Sequence, residues 1–154
     1  MTTRRTFLGV GAGGLLAATA RALPVPPPQV GIESANRDIH PYANVHHGLG
    51  TLGVKLFGFG GAPAPASFLI YEIPPGASEG PHVHSLTDPA LGAYDEYYYV
   101  LEGHGAMLLG DRTMPIAPGD HVHTPIGLPH GVANTHPSKM LRIFLTYIER
   151  SPAA

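Results

Sequence analysis

The chain has 154 residues, a length that suggests one domain. It is 44% hydrophobic and only 13% charged, which supports a buried core and argues against disorder. It has no cysteine, which excludes disulfides and thiolate metal sites, and its net charge of −2 gives no electrostatic reason to bind nucleic acid.

The first residues read as an address. Arg4 and Arg5 form a basic start, and Phe7 to Ala20 is apolar but too short to span a bilayer comfortably. Ala18-Thr19-Ala20 and Ala20-Arg21-Ala22 are both small-x-small cleavage sites. TRRTFLG is similar to a twin-arginine export signal, the alternative being an ordinary secretory leader. The expected location is therefore the periplasm or the cell exterior. Gly9, Gly11 and Gly14 fit GxGxxG, but no strand precedes them, so a dinucleotide site is rejected. Removal of residues 1–22 takes away three arginines and moves the charge from −2 to −5. A mature chain of that charge is expected to bind neither nucleic acid nor anionic membrane.

Residues 23–50 are Pro-rich, then polar, and read as an extended arm before a domain over 51–150. VKLFGF (54–59), SFLIYEI (67–73), EYYYVLE (96–102), HVHT (121–124) and MLRIFLTYI (140–148) are rich in β-formers and predict strands. HVH at 82–84 starts another after the turn PPGASEGP, and GVANTH forms one more. GAMLLGDRTMPIAPGD predicts a hairpin turning near Gly110-Asp111, with a second turn at Pro118-Gly119. No amphipathic helix is evident. Short strands between Gly/Pro turns argue for a small sandwich or barrel.

Ten histidines are many for this length, and histidine is the commonest metal ligand. On a strand, His82 and His84 share one face, about 6.5–7 Å apart. Two imidazoles alone hold an ion poorly, so the surrounding pattern decides. Gly76 is followed by five residues and His82-Val83-His84, and Glu96 is followed by six residues and Gly103. Gly119 is followed by five residues, Pro125-Ile126-Gly127, two residues, His130, three residues and Asn134.

These two motifs resemble those of the cupin family over about residues 66–148. The resemblance implies an all-β, small antiparallel jelly-roll barrel. It also implies that His82, His84, Glu96 and His130 bind one divalent metal ion, and that the chain is a homodimer. Three imidazoles and a carboxylate leave open positions on Fe, Mn, Ni or Co, with Zn and Cu also possible, as in a catalytic rather than a structural site.

One departure is the eleven-residue gap SLTDPALGAYD between His84 and Glu96, where the family usually has three or four. Asp88 within it is a competing carboxylate, and Asp95 should face the other side of the strand. The insertion is either a lid or a tolerated surface loop. Tyr98 and Val100 share the Glu96 face. His121 and His123 share a face that looks either into the barrel, as proton-transfer candidates, or outward.

The leading expectation is an exported metal-dependent enzyme acting on a small molecule, of oxygenase type. The alternatives are a non-redox decarboxylase, isomerase or lyase, and a binding module without turnover. His40, His46, His47, His104 and His136 lie outside the motifs and read as surface or turn residues.

Overall fold

The computed structural model describes residues 33–58 and 66–151. The signal segment 1–22 and the first part of the arm, 23–32, lie outside the described residues.

Nine strands are found among the described residues, all paired antiparallel. They are β1 (His40–Ala43), β2 (Thr51–Phe57), β3 (Ala66–Ile73), β4 (Tyr94–Glu102), β5 (Gly105–Leu109), β6 (Arg112–Ile116), β7 (His121–Thr124), β8 (His130–Ala133) and β9 (Leu141–Glu149). One sheet has the order β1-β2-β3-β9-β4-β7 and the other β6-β5-β8. Two sheets face to face with a shared apolar interior form the jelly roll expected. The hairpin turns at Gly110 (φ 64°), where the left-handed backbone suits glycine.

The strand pattern explains the core. On β4, Glu96, Tyr98 and Val100 are buried on the inner face while Tyr99 is exposed on the outer one. Leu52, Leu69, Tyr71, Ile73, Leu141, Ile143 and Leu145 come from β2, β3 and β9, and Met107, Ile116 and Val132 come from the small sheet. Burying such side chains supplies about 1.5–3 kcal/mol each before chain entropy is counted.

The segment between β3 and β4 joins the two sheets. It forms single bridges, Ser78 opposite Ala133 and His82 opposite His130, where a further strand was expected from HVH. The proline and glycines around it leave room for pairing at single residues only. Asn134 fastens the segment: its Nδ2 donates to Ile73 O (2.7 Å) and Lys139 O (2.8 Å).

The described part of the stretch expected as an arm is built into the sheet. β1 pairs with β2, and Ile39 packs on Gly53. On the outer face the buried Lys55 ammonium is paired with Glu33 at 3.0 Å, as an ion in such a position must be.

Candidate metal centre

The site forms where the bridging segment meets β8 and the inner face of β4. His82 and His130 lie directly opposite each other and exchange both backbone hydrogen bonds, at 2.9 and 3.0 Å. His84 follows two residues on and is tied down by Gly127 N–H donating to its carbonyl at 2.8 Å. Glu96 reaches across from the large sheet. The ligand atoms of His82, His84, Glu96 and His130 all lie within 4.8 Å of one another, and all four residues are buried.

The imidazoles are oriented by their other nitrogens. His82 Nδ1 meets Gly80 O at 3.0 Å, His84 Nδ1 meets Leu91 O at 2.9 Å, and His130 Nδ1 meets Leu128 O at 2.7 Å. A carbonyl only accepts, so each Nδ1 carries a hydrogen and each Nε2 is turned to the centre, where it offers a lone pair to a cation or, when the ring is protonated, a hydrogen to Glu96.

Those nitrogens converge on a carboxylate. His130 Nε2 is 2.8 Å from Glu96 Oε2, His84 Nε2 is 3.3 Å from Oε1, and His82 Nε2 is 3.8 Å from Oε2. The Nε2 atoms of His82 and His84 are buried without a hydrogen-bond partner. Although His84 Nε2 is close to Oε1, the contact lacks hydrogen-bond geometry. An orphaned buried acceptor costs about 1–3 kcal/mol, and acceptors facing an anion cost more. One cation among them satisfies all four, so the residues present fit a divalent ion.

Titration follows the same logic. Burial works against charging His84, but its contact with Glu96 outweighs that and raises it above the ordinary imidazole value. His82 is pushed down to about 4, chiefly by burial. Burial works against the Glu96 charge too, but contacts from His130, His84 and Tyr98 hold its carboxyl well below the usual range.

A second buried carboxyl, Glu79, stands behind the first. Tyr71 Oη donates to Glu79 Oε1 at 3.0 Å. The Tyr98 hydroxyl lies 2.6 Å from Glu96 Oε2 and 3.1 Å from Glu79 Oε2. One hydroxyl has one proton and cannot donate to both. Burial, with the nearby Glu96 charge, pushes Glu79 up to about 8. That shift favours the protonated form of Glu79, in which it donates to Tyr98 while Tyr98 donates to Glu96.

The Gly103 spacing marks the carboxylate that converges. Asp95 points away and accepts from Ile126 N–H at 2.9 Å. Asp88 accepts from Ala90 and Leu91 N–H at 2.8 and 3.2 Å, so its carboxylate is used inside the insertion. The insertion is fastened by Ser85 N–H to Gly92 O (3.1 Å), and its Leu91 carbonyl orients His84.

Two pocket candidates are corrected. His121 and His123 pair opposite Tyr99 and Tyr97, the outward residues of β4, so both face out. His123 stacks on Tyr97 with ring centroids 4.4 Å apart. Tyr98 does face inward, fully buried beneath Glu96. Sequence reasoning passed over Glu79, hidden in a turn-like stretch, and His46, whose ring stacks on His82 at 3.8 Å.

A cavity of about 240 Å³ opens on the centre, lined by His46, Leu69, Tyr71, His84, Tyr94, Glu96, Leu145 and Tyr147. A second, of about 340 Å³, lies along His46, His47, Pro81, His82, Asp88, Ala90 and Leu91.

Residues 69–147 match the model of the cupin domain family. A predicted oxalate decarboxylase from Thermotoga maritima is 26% identical, with 73% of this chain and 95% of that chain covered at a TM-score of 0.63. A cupin 2 conserved barrel domain protein from Salinispora arenicola shares the fold at 19% identity, 84% and 91% coverage and a TM-score of 0.57. KdgF from a Halomonas species does so at 21% identity, 65% and 82% coverage and a TM-score of 0.52. No curated protein matches the chain in sequence.

Proposed function

The chain belongs to the cupin domain family, and from that premise we propose that it is a metal-dependent enzyme acting on a small chelating molecule. His82, His84, Glu96 and His130 hold one divalent ion, and the substrate enters the adjoining cavity. The observation that carries this is the pair of buried, partnerless Nε2 atoms aimed at the same point as His130 and Glu96. Once bound, the ion supplies Lewis-acid polarisation and, if redox-active, electron exchange with dioxygen.

The cavity wall favours the oxygen-using class. Leu69, Leu145, Tyr94 and Tyr147 make it apolar and aromatic, and no Lys or Arg lines it among the described residues. An enol, catechol or flavonol-type molecule matches that wall with its rings and brings adjacent oxygens for chelation. A small dianion finds no cationic side chain there.

A specific observation supports a second reading, a decarboxylase, isomerase or lyase. Tyr71 lines the cavity and donates to the buried Glu79, which sets a titratable pair beside the substrate that can exchange protons without redox chemistry. The Thermotoga neighbour, a predicted oxalate decarboxylase, agrees with that class.

Oxygen uptake by the Fe(II)-, Ni(II)- or Cu(II)-loaded protein with catechol and flavonol substrates tests the choice. Turnover that continues unchanged without oxygen overturns the oxygenase reading and supports the second. Binding without turnover in either atmosphere leaves a binding module.

The proposal includes export of the folded, metal-loaded chain by the twin-arginine route and assembly as a homodimer. Replacing Arg4 and Arg5 by Lys should hold the precursor inside the cell. A monomer in sedimentation analysis removes the dimer.

A further inference from the structure

His46 comes from outside both motifs, in the short 3₁₀ turn Val45–His47 that joins β1 to β2. Asn44 (φ 52°), His46 (φ 48°) and His47 (φ 62°) all adopt the left-handed region. That region costs a non-glycine residue about 1–2 kcal/mol, so three such residues persist only where their surroundings fix them.

Two glycines provide the fixing contact. A β-carbon on Gly80 would lie 2.0 Å from His46 O, and one on Gly48 would lie 2.1 Å from Ser78 O. Gly80 N–H donates to Val45 O at 2.9 Å. The turn is thus pressed against the backbone of 78–80, directly before His82. As a result the His46 ring lies 3.8 Å from the His82 ring at 19° and faces the same cavity as Glu96 and Tyr71.

We propose that His46 is a substrate-contacting residue: its imidazole forms a hydrogen bond to an oxygen of the chelating molecule in the cavity beside the ion. This rests on the metal-enzyme reading above. A competing role is open to it on spacing alone, because His46, Glu79 and His82 also bring ligand atoms within 4.8 Å of one another. A second ion there would find poor ligands. Glu79 is occupied by Tyr71 and Tyr98, His82 Nδ1 is occupied by Gly80 O, and His82 Nε2 faces the first ion. His46 Nε2 lies 3.9 Å from Glu79 Oε1, beyond hydrogen-bond distance, and so has capacity for a substrate oxygen.

The test uses Co(II) as the ion and 4-nitrocatechol as the probe, read by optical titration. His46→Asn removes the imidazole, and asparagine tolerates the left-handed backbone. His46→Gln restores a longer polar group. The expected result for His46→Asn is one Co(II) per chain, an unchanged cobalt spectrum before probe addition, and probe binding weakened about five- to tenfold, the worth of one hydrogen bond. His46→Gln recovers part of that loss.

Equal probe affinity in the wild type and both variants overturns the proposal. So does a cobalt spectrum or stoichiometry that changes with the substitution, which makes His46 a ligand. Wild-type protein that takes up no Co(II) sinks the metal reading and this inference with it. Wild-type protein that binds cobalt and probe, with an indifferent His46→Asn, sinks this inference alone.

Discussion

Replacing Glu79 with Gln distinguishes a neutral acid from a carboxylate at the hub of the buried network. The glutamine amide donates to Tyr98 where the acid proton did, and its carbonyl still accepts from Tyr71. With Glu79 raised from 4.5 to about 8, the folded wild type binds one proton more than the unfolded chain between those values. Stability from this group is fully present below about 4.5 and falls as pH rises, gone by about 8. The slope is about 1.4 kcal/mol per pH unit. Glutamine has no such slope, and the other titrating groups largely cancel between the two proteins. The variant should therefore gain on the wild type by ~2 kcal/mol between pH 6 and pH 7.5. Urea unfolding of both metal-free proteins in EDTA measures it. At about pH 4.5, where the neutral acid is well populated in both states, the glutamine variant should fall within about 1 kcal/mol of wild type, while Glu79→Ala loses about 2–4 kcal/mol through lost hydrogen bonds and a cavity. A difference that stays flat with pH, or a glutamine variant as damaged as the alanine one at about pH 4.5, would refute a protonated Glu79.

Three further outcomes follow from the same geometry. Divalent ion at a hundredfold excess over Kd should stabilise the wild type by about 2.7 kcal/mol, raising Tm by roughly 5–10 °C in a thermal-shift assay. EDTA should reverse the rise and Glu96→Ala should abolish it, whereas a surviving shift puts the ion elsewhere. Replacing residues 86–91 with two glycines removes the Leu91 carbonyl that orients His84, and should weaken metal affinity about 10–100-fold by isothermal titration. Unchanged affinity would make the loop incidental. Asn134→Ala removes the bonds to Ile73 O and Lys139 O and the acceptor for His136 N–H. It should cost about 2–4 kcal/mol in urea unfolding with metal stoichiometry intact. Loss of metal without loss of stability would move Asn134 into the centre.

The barrel was legible because most strands carry a period-two pattern or a dense run of β-formers between glycine and proline turns. EYYYVLE shows why that reading reaches the site. Alternation alone sends Glu96 and Tyr98 inward and Tyr97 and Tyr99 outward, and the structure places them so. HVHT has the same alternation but no apolar residue at 121 or 123 to choose a face. Register against β4 decided it, and register across a sheet is not written in one strand. β1 was missed because HPYA is short, polar at its start, exposed along its length and contains a proline, features that an edge strand tolerates.

The four converging residues and the two behind them differ in what encodes them. His82, His84 and His130 are placed by regular local geometry, alternation on an extended segment and a single cross-strand bridge. His46 is placed by a left-handed turn and by two backbones that approach through Gly48 and Gly80. Glycines at such positions look like turn punctuation in a chain already rich in them. Their real constraint is the carbonyl of a residue far away in sequence. Glu79 is hidden for a related reason: its partners Tyr71 and Tyr98 come from opposite sides along the chain, and each is interpretable alone as core. Close backbone approach and shared protons are pairwise properties of the fold. They surround the four converging residues with groups that the motifs do not name.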